Sequence, residues 1–205
     1  RDIQPVCCAS WHRKGNRFAT AHENGTICLW KFKDDKKPIS AFPIVQVSTP
    51  GTSIIPPIKI VLTKKIKEDV FVVLGGNSVT STTKGPSLHV IKGPKENPTK
   101  LKRTEPMCNE ASDFVLLFSE PYPSKRTDPY SMLTIEKDGK LAVHSMKEFP
   151  YQRIELNTVP FIFSHSSVTM IRIFEGSSLS FIPEGIRPGG GGGRSPVDVL
   201  VTGHD

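Results

Sequence analysis

A sustained helical period is the first thing missing from this sequence. No long stretch repeats apolar residues at the spacing of one helix face, so helices cannot supply the core. Long apolar runs are missing too. The longest, such as Val70-Phe71-Val72-Val73-Leu74, span a few residues and are too short for a helix crossing a bilayer. Cysteine is scarce, with four in 205 residues. Cys7 and Cys8 are adjacent and Cys28 sits in a strand-like segment, a pattern that reads as reduced thiols of an intracellular protein rather than a disulfide framework. No signal-peptide pattern follows Arg1.

What is present is β-forming sequence cut by turns. Short runs rich in Val, Ile, Phe, Thr and Leu alternate with 18 prolines and 16 glycines, and a hydrophobic share of 37% suffices for a core. The expected class is therefore all-β. Pro5–His12 reads as a strand, Arg13–Asn16 as a turn, Arg17–His22 as a second strand, and Thr26–Phe32 as a third. Between the last two, Asn24-Gly25 is the strongest short-range hairpin signal, because both residues tolerate left-handed backbone angles.

Strand, turn, strand, Asn-Gly, then a strand carrying Trp30 resembles one blade of a WD-repeat propeller, with Trp30-Lys31 in place of the usual Trp-Asp. Of the residues that brace such blades, Thr20 and Trp30 fit and Asn24 stands where Asp is usual. No Gly-His precedes the first strand, so a weaker brace is expected. Ile58–Leu62, Val70–Leu74 and Ser87–Ile91 form a second set of strands. Phe114–Phe118, Ser131–Ile135 and Lys140–His144 form a third, with a hairpin at Asp138-Gly139 and an outer strand within Pro150–Val159. Val168–Phe174 and Val197–Asp205 begin a fourth. There Thr202-Gly203-His204-Asp205 aligns with Thr20-Ala21-His22-Glu23, and the sequence stops inside a hairpin.

The expected architecture is thus about three blades plus part of a fourth, all of residues 1–205 belonging to one incomplete propeller. Seven blades would need about 300 residues at roughly 40–45 each. Segments 92–110 and 184–196, the latter holding Gly189 to Gly193, read as exposed loops.

Four anchors in order resemble the lethal giant larvae and tomosyn family. They are Pro5–Trp11 with His22–Thr26 and Trp30; Phe71–Gly76 with Gly85–Val90; Phe114–Pro123 with Asp128-Pro129-Tyr130; and Val197–Asp205. The resemblance implies a cytoplasmic scaffold, peripherally associated with the plasma membrane, that binds syntaxin-class SNAREs in exocytosis, secretion and cell polarity. It also implies association with Rab-type GTPases, as a regulator acting by binding, and with myosin II. An adaptor of another complex, in ubiquitin ligation or cytoskeletal assembly, is the competing expectation.

No catalytic, cofactor or metal site is expected. Cys7, Cys8, His12, His22 and Cys28 fit no zinc spacing. Gly75-Gly76-Asn77-Ser78 follows a strand but lacks the Lys-Ser/Thr and helix of a phosphate loop. Ser119-Glu120 with His144 or His165 forms no ordered nucleophile constellation. The remaining candidates are partner-binding cations. A net charge of +7, from 27 basic and 20 acidic residues, concentrates in Lys64, Lys65 and Lys67 and in Lys92, Lys95, Lys100, Lys102 and Arg103. Such clusters can steer a largely acidic helix, or simply solvate a loop. Neither has the interleaved aromatics that stack on bases, which speaks against nucleic acid.

Overall fold

The structure, a computed structural model, describes residues 4–12, 15–33, 36–45, 52–65, 68–93, 101–103, 106–107, 110–118, 128–148, 151–154, 168–174 and 199–204. For Lys65 and for residues 168–174 and 199–204 only the backbone is described. The described residues are all-β, with no helix.

The first sheet is a four-stranded antiparallel meander: β1 (Val6–Trp11), β2 (Arg17–His22), β3 (Thr26–Lys31) and β4 (Ser40–Pro43). The second has the same plan in β5 (Lys59–Lys65), β6 (Glu68–Leu74), β7 (Leu88–Gly93) and β8 (Lys102–Arg103). The third comprises β9 (Ala111–Phe118), β10 (Pro129–Glu136), β11 (Leu141–Ser145) and β12 (Gln152–Ile154). Two further strands, β13 (Val168–Phe174) and β14 (Val199–His204), pair with each other.

Hydrophobic pattern decides how these sheets stack. The uninterrupted run Val70–Leu74 is fully buried, because the second sheet is covered on both faces. Phe71 and Val73 pack with Ile60, Leu62 and Ile91 against Ala19, Ala21, Ile27, Leu29 and Phe42 of the first sheet. Val70, Val72 and Leu74 point the other way, into Phe114, Leu116 and Met132 of the third sheet. Each buried Val, Leu or Phe contributes about 1.5–3 kcal/mol. On the far face of the third sheet, Ile135 packs with Val115, Leu133 and Leu141. β5 neighbours β1 and β2, and β13 neighbours β9 and β10.

Among the described residues, one ion pair crosses each of the two interfaces. Arg17, at the start of β2, grips the Asp69 carboxylate of β6 with both guanidinium nitrogens, Nη2 donating to Oδ1 at 3.0 Å. Lys59 of β5 reaches Asp113 Oδ1 and the Phe114 carbonyl of β9, each at 2.6 Å, and lies 5.0 Å from the Phe114 ring centroid.

The first, third and last pairings share one register. Val6 opposes His22, Cys8 opposes Ala21 and Ala9 opposes Thr20, with a β-bulge at Cys7. Ala111 opposes Glu136, Asp113 opposes Ile135 and Phe114 opposes Thr134, with the bulge at Ser112. Val168 opposes His204, Met170 opposes Gly203 and Ile171 opposes Thr202, with the bulge at Thr169. The expected alignment of Thr202–His204 with Thr20–His22 therefore holds residue by residue.

Two hairpin turns repeat as well. Asn24 Oδ1 accepts from Thr26 N at 3.1 Å, and Asp138 Oδ1 accepts from Lys140 N at 3.2 Å. The glycines that follow have φ of +73° and +78°, which side-chain-bearing residues rarely adopt.

Two strands depart from the sequence expectation. β4 carries no strand signal, and β8 and the last two residues of β7, Lys92 and Gly93, fall inside segment 92–110, whose composition suggests a loop. Both fourth strands sit at a sheet edge with one hydrogen-bonded neighbour, so they need little of the apolar alternation that marks a strand. Segment 184–196 and Ser119–Pro123 lie outside the described residues.

Candidate functional site

The brace in the first sheet is built. Trp30 Nε1 donates to Thr20 Oγ1 at 2.8 Å, Thr20 Oγ1 meets His22 Nε2 at 2.9 Å, and His22 Nδ1 lies 2.6 Å from the Gln4 carbonyl. His22, two residues along the same strand, thus continues the brace although no Gly-His precedes β1. Asn24 takes no part in it and serves the hairpin turn instead. In the third sheet Thr134 Oγ1 lies 3.3 Å from His144 Nε2, with His144 in the place Trp30 holds in the first. Burial first, then the Arg153 charge, lowers the His144 pKa, with Glu136 opposing.

The expected cationic clusters converge at one end of the second sheet. Register sets Lys64 opposite Asp69, Lys65 opposite Glu68, Val70 opposite Lys92, and Lys92 opposite Lys102. The two sequence-distant clusters therefore lie at the same end of one sheet but toward its two opposite edges, with Lys64 on the face turned to the first sheet and Lys92 and Lys102 on the other. Lys31, the last residue of β3 and opposite Arg17, is exposed, as are Lys33, Lys36 and Lys37 after it. The charges are partly compensated: Lys92 Nζ is 3.1 Å from Glu68 Oε2, and Asp69 holds Arg17. Lys102 is exposed, whereas Lys64 is half-buried. Arg103 turns inward, donating from Nε to the Ile44 carbonyl at 3.3 Å and from Nη2 to the Pro43 carbonyl at 3.0 Å. Lys67, Lys95 and Lys100 lie outside the described residues, as do the side chains of Lys65, Thr202 and His204.

Arg103 lines a cavity of about 400 Å³ between the first and second sheets, which no sequence motif announced. Its walls combine Ile44, Val45, Ile91 and Pro106 with Asn77, Ser87, His89 and neighbouring hydroxyl residues. The loop from β6 to β7 shapes one side. Asn77 holds that loop closed, its Oδ1 accepting from Ser87 N at 2.8 Å and its Nδ2 donating to the Gly85 carbonyl at 3.2 Å. Gly76, at φ +76°, lies so close to Ile44 that a Cβ would fall 2.2 Å from Ile44 Cδ1. The Gly75–Ser78 stretch is not itself a turn: it runs on from β6 packed on the first sheet and pairs antiparallel with residues 53–55, Gly76 N donating to the Ile55 carbonyl at 2.7 Å and Ile55 N to the Asn77 carbonyl at 2.9 Å, and the chain turns at Thr80–Thr83.

His89 is 3% exposed and its Nε2 has no hydrogen-bond partner among the described residues; Ser87, 1% exposed, has none for its hydroxyl. Burial pushes the His89 pKa down to about 4, so the ring is neutral near pH 7. Burial also lowers the Arg103 pKa, but an arginine stays charged.

Among the described residues no group of three or more His, Cys, Asp or Glu could hold a metal. Cys7, Cys8 and Cys28 are free thiols. Burial, then Cys7, raises the Cys8 pKa to about 11, which keeps that sulfur protonated. His144 is buried, while Ser119, Glu120 and His165 lie outside the described residues. No helix among the described residues is long and apolar enough to cross a membrane. No protein-family model matches the chain.

Proposed function

We propose that the chain is a run of consecutive blades from a WD-type β-propeller and acts as a binding scaffold rather than an enzyme. The observation that carries this reading is the recurrence of Thr20, Thr134 and Thr202 at one register position, each beside the same bulge. A unit that repeats its pairing defects as well as its strands is a structural repeat. Face-to-face packing of successive meanders, with β1 beside β5 and β9 beside β13, suits blades arranged around an axis.

Resemblance to the lethal giant larvae and tomosyn family supplies the partner class: syntaxin-class SNAREs, with Rab-type GTPases and myosin II as further partners. The site of action would be the cytoplasm and the plasma-membrane surface, in exocytosis and cell polarity. The cationic end of the second sheet supports this reading physically. Lys64, Lys92 and Lys102 lie at the same end of that sheet, spread from one edge strand to the other, and a row of cations along a blade end attracts an acidic helix in a salt-dependent way. An adaptor for another assembly would use the same blades with different partners.

Pull-down with the cytosolic part of a plasma-membrane syntaxin tests the proposal. Enrichment that falls at high salt and is lost in Lys64→Glu/Lys102→Glu protein is the expected result. Equal recovery with that variant, or none with the wild type, would contradict it.

A further inference from the structure

The outer face of the first sheet, turned away from the second, repeats positions that are covered elsewhere in the molecule. Trp11, Phe18 and Trp30 stand opposite one another across β1, β2 and β3, as Leu116, Met132 and His144 do across β9, β10 and β11. Phe32 matches Met146. Phe32 N donates to the Asn16 carbonyl at 3.1 Å and Met146 N to the Tyr130 carbonyl at 3.0 Å, and each acceptor lies two residues before Phe18 or Met132. In the third sheet Leu116, Met132 and Met146 are buried against Val70, Val72 and Leu74 of the second. Their counterparts Trp11 and Phe32 are 56% and 61% exposed, and Phe18 and Trp30 are half-buried.

The four rings hold one another in place. Trp11 lies 5.1 Å from Phe18 and 5.5 Å from Phe32, and Phe18 stacks on Trp30 at 6.0 Å. The patch is thus ordered before anything docks, which lowers the entropy lost on contact. Among the described residues the second sheet is covered on both faces, and the third has the second on one face and β13 beside β9 and β10. The sheet face that a second copy has to offer is therefore this same one. Two copies of one ring patch, related by a two-fold axis, can meet edge to face, the arrangement aromatic pairs prefer. Charge works against the contact. Lys31, Lys33, Lys36 and Lys37 are exposed at and beyond the end of β3, offset in part by Asp34 and Asp35, and the chain carries +7 overall. Salt screens that repulsion.

We propose that the chain forms a reversible two-fold dimer through the outer face of its first sheet, Trp11 and Phe32 of each copy packing against the other. The exposed parts of these two side chains amount to roughly 250 Å² per copy. A stable complex covers about 800 Å² per partner, so this dimer is weak and forms only at high concentration. It depends neither on a SNARE partner nor on closure of the sheets into a ring.

Sedimentation equilibrium of the full chain from micromolar to millimolar concentration tests it, together with tryptophan fluorescence. Reducing conditions are needed because Cys7 is an exposed free thiol. The sequence holds two tryptophans, Trp11 and Trp30, and both belong to the patch, so emission reports on this face. The expected result is a monomer–dimer equilibrium, tighter at high salt, with emission moving to shorter wavelength as dimer forms. Phe32→Lys, which keeps both tryptophans, should weaken association at least tenfold. Tyr130→Ser, at an exposed aromatic of the third sheet, should leave it unchanged. A chain that stays monomeric at millimolar concentration would overturn the proposal and leave the face to a different partner. Association without a change in emission would overturn it by placing the contact elsewhere. Masses that rise past the dimer would do so too, because a different face would then dock here head to tail. Equal association of wild type and Phe32→Lys would also contradict it.

Discussion

Thr20 and Thr134 occupy the same place in two different sheets. Each pairs across a bulged first strand, and each hydrogen-bonds a ring on the third strand, Trp30 or His144. In the second sheet the run Val70–Leu74 of β6 is instead apolar on both faces, and no bulge interrupts β5 and β6. The brace is therefore a property of some repeats and not of the fold as such.

Replacing Thr20 by Val keeps the volume but removes the acceptor for the indole N–H. A loss of about 1–2 kcal/mol is expected in urea unfolding. The Trp30 environment should also change in the fluorescence of the folded protein. An unchanged midpoint would mean that the bond contributes nothing to stability.

Arg17 and Asp69 are a buried pair, with side chains 11% and 4% exposed. Asp69→Ala should cost about 3–5 kcal/mol, because it leaves a guanidinium between two sheets without its counter-charge. Arg17→Met combined with Asp69→Leu should recover most of that loss. If the double variant unfolds as easily as the single one, the pair acts through more than charge compensation.

His89 makes stability depend on pH. Near pH 7.5 the ring is neutral in both folded and unfolded protein. As pH falls through about 6.5, the unfolded ring takes a proton that the folded ring refuses until about pH 4. Stability from this group is therefore full above pH 6.5 and lost between 6.5 and 4, on the order of 2–3 kcal/mol. Urea melts of wild type and His89→Leu at pH 7.5 and 4.5 check this. The variant should lose less stability on acidification, and equal losses would place the effect elsewhere.

The face of the first sheet turned away from the second carries exposed aromatics. Trp11 is 56% exposed and Phe32 61%, and their rings lie 5.5 Å apart. Trp11→Ser/Phe32→Ser should raise the solubility of the isolated chain, while ring contacts worth about 1 kcal/mol are lost. Light scattering at rising concentration would measure it. Unaltered self-association would show that this face is not what drives aggregation.

Much of the fold was legible because turn chemistry and apolar runs agree. Asn24-Gly25 and Asp138-Gly139 announced two hairpins, and Val70–Leu74 announced a strand, although only packing reveals that both of its faces are covered. β8 was hidden because Lys102-Arg103 holds no apolar residue, and β4 because four edge residues ending in Pro43 show too little alternation. The cavity was hidden for a different reason. Its walls come from the end of the first sheet, the β6–β7 loop, β7 and β8, and no sequence spacing links Ile44, His89 and Arg103. That the two lysine clusters lie at the same end of one sheet likewise needed the register of β5 to β8.

An experimental structure of the protein is the decisive measurement for the proposal that these meanders are neighbouring blades of one propeller. The expected result is three four-stranded sheets side by side around a common axis, with β1, β5 and β9 innermost. A closed sandwich, with the first and third sheets packed on each other or the first strands facing outward, would contradict it.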